Sequence, residues 1–224
     1  MTDEELEELL SDCPLLYHMA ERGSWPSIQR RGLLSTTALL DLYGVAGVER
    51  ARIEQQHRPA AILVTDPVLP GAVIRDQIPM DDRGLRRCLP SHLSPSDWYR
   101  LLNEKVFFWL TRERLLRLLG AGAYRAKAHD VLEVEARSLV RAYVNAIWLC
   151  PMNSGCTKPM PHPRNLETFL RIPDYPYAEW RRKRRKGERV VELAIDYAVP
   201  DISVYVRRVV VMRGQEELET VFEA

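Results

Sequence analysis

The chain has 224 residues, a length that suits one compact domain, and 46% of them are hydrophobic, so a sizeable core can form. A formal net charge of +1 gives the molecule as a whole no electrostatic attraction for nucleic acid. No apolar run reaches about 18 residues and no apolar leader follows Met1, so we expect no membrane contact and a cytoplasmic location. The four cysteines follow no disulfide-framework spacing, and we expect them to be reduced.

The predicted elements begin with an acidic helix in residues 1–14, where Thr2 and Glu5 form a capping box. Local apolar runs, caps and Gly or Pro breaks then predict the next elements. They are a strand at 15–19, a helix between Ser24 and Gly32, a helix from 35, strands at 61–65 and 72–75, a helix from 94 and an apolar strand at 106–110.

Beyond this point Thr111 is placed to cap a helix that runs to Gly120. The final third is mostly strand, at 131–135, 146–149, 190–197 and 204–212. A proline-rich segment, 153–164, has little periodicity and predicts a long functional loop. Strands and short helices mix without βαβ alternation. The sequence therefore predicts a single α+β domain over 1–224, with a central, largely antiparallel sheet and short flanking helices.

Several motifs are absent or weak. No Gly-rich dinucleotide fingerprint follows a strand, and neither a phosphate-binding P-loop nor a nucleophile elbow occurs. Cys150, Cys156 and His162 match no common zinc spacing, so we expect no metal. The basic run 181–186 is a solvated face or a phosphate-binding stripe.

Three positions combine polar chemistry with a well-fixed backbone. Tyr17 and His18 lie inside an apolar strand, where a histidine is either satisfied by backbone groups or faces a ligand. Arg112, next to Thr111, opens a helix after a buried strand. It is either an anion site at the helix N-terminus or a surface arginine. Glu192 alternates away from Val191, Leu193 and Ile195, so it is either an ordinary solvent-facing glutamate or, as its small and apolar neighbours indicate, a carboxylate in a cleft.

Three patches, in order along the chain, resemble one known family. The first patch is Leu16-Tyr17-His18-Met19 with 26–35, and the second is 106–112. The third is 181–186 with Val191-Glu192-Leu193-Ala194-Ile195 and Val199-Pro200. Together they are similar to segments of DarT-type DNA ADP-ribosyltransferase toxins. These patches resemble, respectively, the family's histidine strand and Gly-Leu helix, its aromatic strand with an NAD-contacting arginine, and its catalytic-glutamate strand. The resemblance implies a bacterial ADP-ribosyltransferase-like fold with a split sheet.

It also implies residue roles, with NAD as co-substrate. Glu192 would be catalytic, and Tyr17, His18, Thr111 and Arg112 would bind NAD, with Arg112 at the pyrophosphate. Asn153, Ser154, Arg184 and Arg185 would contact a macromolecular acceptor, DNA or RNA, and an antitoxin would restrain the activity. Arg112 continues into Glu113-Arg114-Leu115 instead of the family's Ser-Pro-Met, so the NAD site is better supported than DNA as acceptor.

Other functions stay open at this point. An NAD glycohydrolase would use the same fold with water as acceptor, and an RNA 2′-phosphotransferase would need a set of basic residues that the sequence does not show. A non-catalytic nucleic-acid-binding module would use 181–186. A domain that kept the fold and lost catalysis is a further alternative.

Overall fold

The computed structural model describes residues 1–224 as a mixed α+β fold built around one large sheet. The α-helices are α1 (Asp3–Asp12), α2 (Trp25–Arg31), α3 (Thr36–Leu42), α4 (Gly47–Gln55), α5 (Asp82–Arg86), α6 (Pro95–Asn103), α7 (Arg112–Leu119), α8 (Ala136–Tyr143) and α9 (Tyr177–Lys183). The strands are β1 (Leu15–Glu21), β2 (Leu33–Leu34), β3 (Ile62–Val64), β4 (Ala72–Ile74), β5 (Lys105–Trp109), β6 (Ala128–Glu135), β7 (Ile147–Cys150), β8 (Leu170–Arg171), β9 (Glu192–Asp196), β10 (Ala198–Val199), β11 (Val206–Arg213) and β12 (Glu216–Glu223).

Eight strands form the main sheet in the order β12-β11-β6-β1-β5-β9-β7-β8, and every neighbouring pair is antiparallel. Two small antiparallel pairs, β2 with β10 and β3 with β4, lie apart from it. Helices flank the sheet. The predicted α+β class with a large antiparallel sheet is confirmed. None of the α-helices has the length and apolar character needed to span a bilayer.

The middle of the sheet is its weakest seam. β1 pairs with β6 along seven residues and β5 pairs with β9 along five, but β1 and β5 share only the pair Tyr17 and Trp109. Neighbouring strands that separate beyond one pair leave backbone and side-chain groups facing a gap. We call this gap the β1–β5 seam, and it positions the site described below.

Alternation along the strands divides the core between two sides of the sheet. In β9, Leu193 and Ile195 pack in the large cluster with Leu16 of β1, whereas Ala194 packs with Trp98 of α6. The predicted alternation of β9 is therefore confirmed within the strand. Val190, two residues before Glu192, packs in the large cluster instead of following this alternation, because β9 begins only at Glu192.

Local signals located most elements, and the capping boxes at Thr2 and Ser94 and the Thr111 cap all form. Ser24 precedes α2 but makes no side-chain cap. The sequence did not predict α4, α5, α8 or the edge strand β12. Most of β12 is exposed and rich in glutamate, so it lacks apolar alternation. It is a strand because β11 supplies its backbone partners.

Candidate functional site

A cavity of about 530 Å³ opens at the β1–β5 seam. Its walls come from β1 and the segment through α2 to α3, from residues 70–80, from β5, from the loop at 153–155 and from Glu192 at the start of β9. Both apolar and polar side chains line it. A single concave site of this size, with a few convergent polar groups, is typical of small-molecule binding.

Glu192 is a buried carboxyl in the cavity wall. Its side chain is 4% exposed, and its neighbours across the sheet are Trp109 on β5 and Cys150 on β7. Oε2 accepts a hydrogen bond from the Ser154 amide at 3.1 Å. Burial raises the pKa of Glu192 to about 7, and hydrogen bonding by Ser154 only partly opposes this shift. A carboxyl perturbed in this way within a cleft is a functional-site candidate.

His18 also lines the cavity and bridges the seam. Its Nδ1 donates to the backbone carbonyl of Phe107 on β5 at 2.8 Å, so the proton must be on Nδ1. Burial lowers the pKa of His18 to about 4, which keeps the ring neutral at physiological pH. The lone pair on Nε2 remains available as an acceptor. The structure thus brings a neutral acceptor and a titratable carboxyl to the same cavity.

Five of the residues singled out from the sequence line the cavity: Tyr17, His18, Asn153, Ser154 and Glu192. Tyr17 packs its ring in the cluster beneath α7, and burial raises the pKa of its hydroxyl. Ser154 is buried and uses its amide to hold Glu192, so it supports the wall of the cavity. Asn153 accepts from the Gly155 amide at 3.1 Å.

Arg112 and Thr111 are not brought to the cavity. Arg112 is 44% exposed in its side chain and donates to Glu217 of β12 at 2.5 Å. Thr111 accepts from the Arg114 amide at 3.3 Å and caps α7. The helix end at which the pyrophosphate site was expected therefore lies outside the cavity. The sequence could not show this, because the partner of Arg112 is more than a hundred residues away on β12.

The basic run 181–186 lies outside the cavity too, and most of its side chains already form ion pairs or hydrogen bonds within the protein. Arg181 pairs with Glu8, Lys186 with Asp12 and Arg185 with Glu113. Arg184 donates to the carbonyls of Pro151 at 2.5 Å and Glu188 at 3.2 Å. Acids of α1 and α7 thus neutralise much of the run. The acceptor contacts expected at Arg184 and Arg185, and a nucleic-acid-binding stripe at 181–186, find no support in this geometry.

The cavity contains a cation that sequence reasoning missed. Arg75 donates to the Met19 carbonyl at 3.3 Å, and its guanidinium lies 5.0 Å from the centre of the Tyr124 ring. No carboxylate forms an ion pair with it, and burial lowers its pKa. A guanidinium in this state is suited to an anionic ligand. Its only sequence signal was its place at the end of the strand predicted at 72–75.

The raised pKa of Glu192 predicts that the free energy of unfolding depends on pH. A carboxyl that holds its proton more tightly in the folded state stabilises the protein at low pH, and this contribution is lost as pH rises from about 4.5 to about 7. Glu192→Gln keeps an acceptor for Ser154 but cannot ionise. We expect E192Q to gain about 2 to 3 kcal/mol of unfolding free energy relative to wild type between pH 5 and pH 8.

Urea denaturation at the two pH values measures this difference. Glu167 is exposed and hydrogen-bonds no other residue through its side chain, so E167Q serves as the control and is expected to show no such gain. An E192Q variant whose stability relative to wild type is the same at both pH values would contradict the raised pKa.

Comparison with known proteins places the chain in a family. Residues 14–206 match the model of DUF7002, a family of unknown function, and this range contains the cavity residues from β1, residues 70–80, β5, the 153–155 loop and β9. No curated protein and no solved structure matches the chain. Helix α1 and strand β12 lie outside the matched range. Since the match spans most of its length, the protein belongs to the DUF7002 family.

Proposed function

We propose that this protein cleaves the nicotinamide–ribose bond of NAD and transfers ADP-ribose to a macromolecular acceptor. The observation that carries the proposal is that buried Glu192 and neutral His18 line the same cavity. The resemblance of the patches around these two residues to DarT-type ADP-ribosyltransferases, given above, supports the same reaction.

The net charge of the cavity fits an anionic dinucleotide. The cations that line it are Arg22, Arg30, Arg31, Arg58, Arg75 and Lys105, and the acids are Glu21, Asp76 and Glu192. Lys105 is paired with Asp196 at 2.5 Å, and Arg22 with Glu219 at 3.3 Å. Arg75 has no such partner, and we assign the pyrophosphate to it in place of Arg112.

Glu192 would act as an ionised acceptor. Its carboxylate accepts a hydrogen bond from the 2′-hydroxyl of the nicotinamide ribose while positive charge develops on the ring. The bond from C1′ to the nicotinamide nitrogen breaks, and nicotinamide leaves neutral with the electron pair. A nucleophilic atom of the acceptor then attacks C1′ and releases its proton to solvent water. A low-dielectric wall strengthens the interaction between carboxylate and developing cation.

His18 would bind rather than transfer protons. Its pKa of about 4 leaves the ring neutral across the working pH range, and its Nδ1 proton is committed to Phe107. Nε2 therefore accepts a hydrogen bond from a ribose hydroxyl. In this way the contact that joins β1 to β5 also fixes the direction from which a ligand hydroxyl is held.

The first test concerns Glu192. E192Q keeps the shape of the side chain but not its charge, so we expect nicotinamide release to fall by at least about 100-fold while the fold is retained. In wild type, release should rise with pH through about 7 and then level off, because the ionised form is the active one. Chromatographic measurement of nicotinamide gives both results. Undiminished release by E192Q would overturn the mechanism.

The second test compares two arginines. We expect Arg75→Gln to weaken NAD binding by about 10- to 100-fold, the usual effect of losing a hydrogen bond to a charged group. Arg112→Gln makes the same change outside the cavity and should leave affinity unchanged. Isothermal calorimetry of both variants measures this. Weaker NAD binding by R112Q together with unchanged binding by R75Q would instead place the pyrophosphate at the N-terminus of α7.

The acceptor is found with labelled NAD and separate pools of DNA, RNA and protein. Transfer predicts label on one of the three pools. Release of free ADP-ribose alone would identify the protein as an NAD glycohydrolase instead.

A further inference from the structure

The loop from Asn153 to Arg164 is folded around the guanidinium of Arg164. This side chain is 3% exposed. Its Nη1 donates to the Ser154 carbonyl at 2.8 Å, its Nη2 to the Cys156 carbonyl at 2.8 Å and its Nε to the His162 carbonyl at 3.1 Å. All three nitrogens are therefore committed to the backbone of this one loop. A planar fork of donors can hold three carbonyls at once, which an ammonium group cannot match in geometry.

Ser154 connects this guanidinium to Glu192. The carbonyl of Ser154 accepts from Arg164 and also from Trp98 Nε1 at 3.3 Å, and its amide donates to Glu192 Oε2. Arg164 also lies over the Trp98 ring, with 5.5 Å between its carbon Cζ and the ring centre. Ser154 is thus fixed through both of its backbone polar groups.

We propose that Arg164 is a positioning residue, which sets the Ser154 amide against Glu192 Oε2 and so directs Oε1 toward the ligand. Burying a guanidinium among carbonyls costs solvation free energy that an apolar side chain of similar length would not cost. This loss of solvation free energy is explained if the loop must hold the Ser154 amide in one fixed position. Arg164 touches no reacting atom and acts only through Ser154 and Glu192.

A test of this role must distinguish the effect of the Ser154 amide on Glu192 from the direct effects of the other charged and titratable groups around it. Cys150 faces it from β7, Arg114 from α7 and Arg164 from the loop. Hydrogen bonding by Ser154 and the charges of both arginines lower the pKa of Glu192, against the larger effect of burial. Arg164→Lys keeps the positive charge but loses the fork. This variant therefore isolates the position of Ser154 from the direct influence of the charge.

The experiment is a carboxyl-carbon NMR titration of protein labelled in glutamate. The Glu192 resonance is assigned by its absence from E192Q. We expect its pKa to rise by about one unit in R164K, the size of a lost hydrogen bond to a charged group. Arg189→Lys is the matched control, because the Arg189 side chain is also largely buried and donates to three groups outside the cavity, those of Glu8, Asp12 and Tyr177. R189K should leave the Glu192 titration unchanged.

A folded R164K whose Glu192 titrates as in wild type would overturn the proposal. If R164K does not fold, Arg164→Gln keeps one amide donor for the loop and loses the other donors of the fork. R164Q should then also shift the Glu192 pKa upward, and an unshifted titration in a folded R164Q would overturn the proposal equally.

The kinetic readout rests on the proposed function, whereas the titration does not. If NAD is the substrate, R164K should lower kcat about fivefold at pH 7 and move the rise in rate to higher pH, with KM for NAD unchanged. If wild type releases no nicotinamide, the proposed function fails, and the titration still decides the role of Arg164.

Discussion

The site depends on the single register pair, Tyr17 with Trp109, that joins β1 to β5. If these strands paired fully, the sheet would be continuous and would leave no cavity at its centre. They separate instead, and the His18 imidazole spans the gap to the Phe107 carbonyl. This hydrogen bond adds a second link between the two halves of the sheet and also fixes the tautomer of a cavity residue. The same contact serves the fold and the site.

The cavity keeps ionisable groups in places that do not favour their charged forms. Burial raises the pKa of Glu192 and lowers that of Arg75, and Arg164 is satisfied only by carbonyls. The protein is less stable with each of these groups than it would be with an apolar side chain at the same position. By contrast, the acids of α1 and β12 pair with basic residues on the surface, as Glu8 does with Arg181. Around the seam, a bound ligand would restore part of the stability that these groups give up.

Local chemistry carried the prediction of most elements and of the side of β9 on which Glu192 lies, whereas the proposed role of Glu192 came from the family resemblance. Capping residues and period-two alternation depend on neighbours a few positions away, so the sequence shows them directly. Arg75 and Arg164 could not be found in this way. The Met19 carbonyl that Arg75 contacts is 56 residues away, and nothing nearby in sequence distinguishes these arginines from the many others. Arg112 had the stronger local signal, a helix N-terminus, but tertiary pairing with Glu217 places it outside the cavity.

The proposed function requires that NAD binds at the β1–β5 seam with Glu192 and His18 both in contact with it. A crystal structure of E192Q soaked with NAD tests this most directly, because the variant should bind the dinucleotide without cleaving it. We expect the nicotinamide ribose beside residue 192, a ribose hydroxyl on His18 Nε2 and the phosphates at Arg75. NAD bound elsewhere on the protein, or an empty seam at saturating NAD, would contradict it.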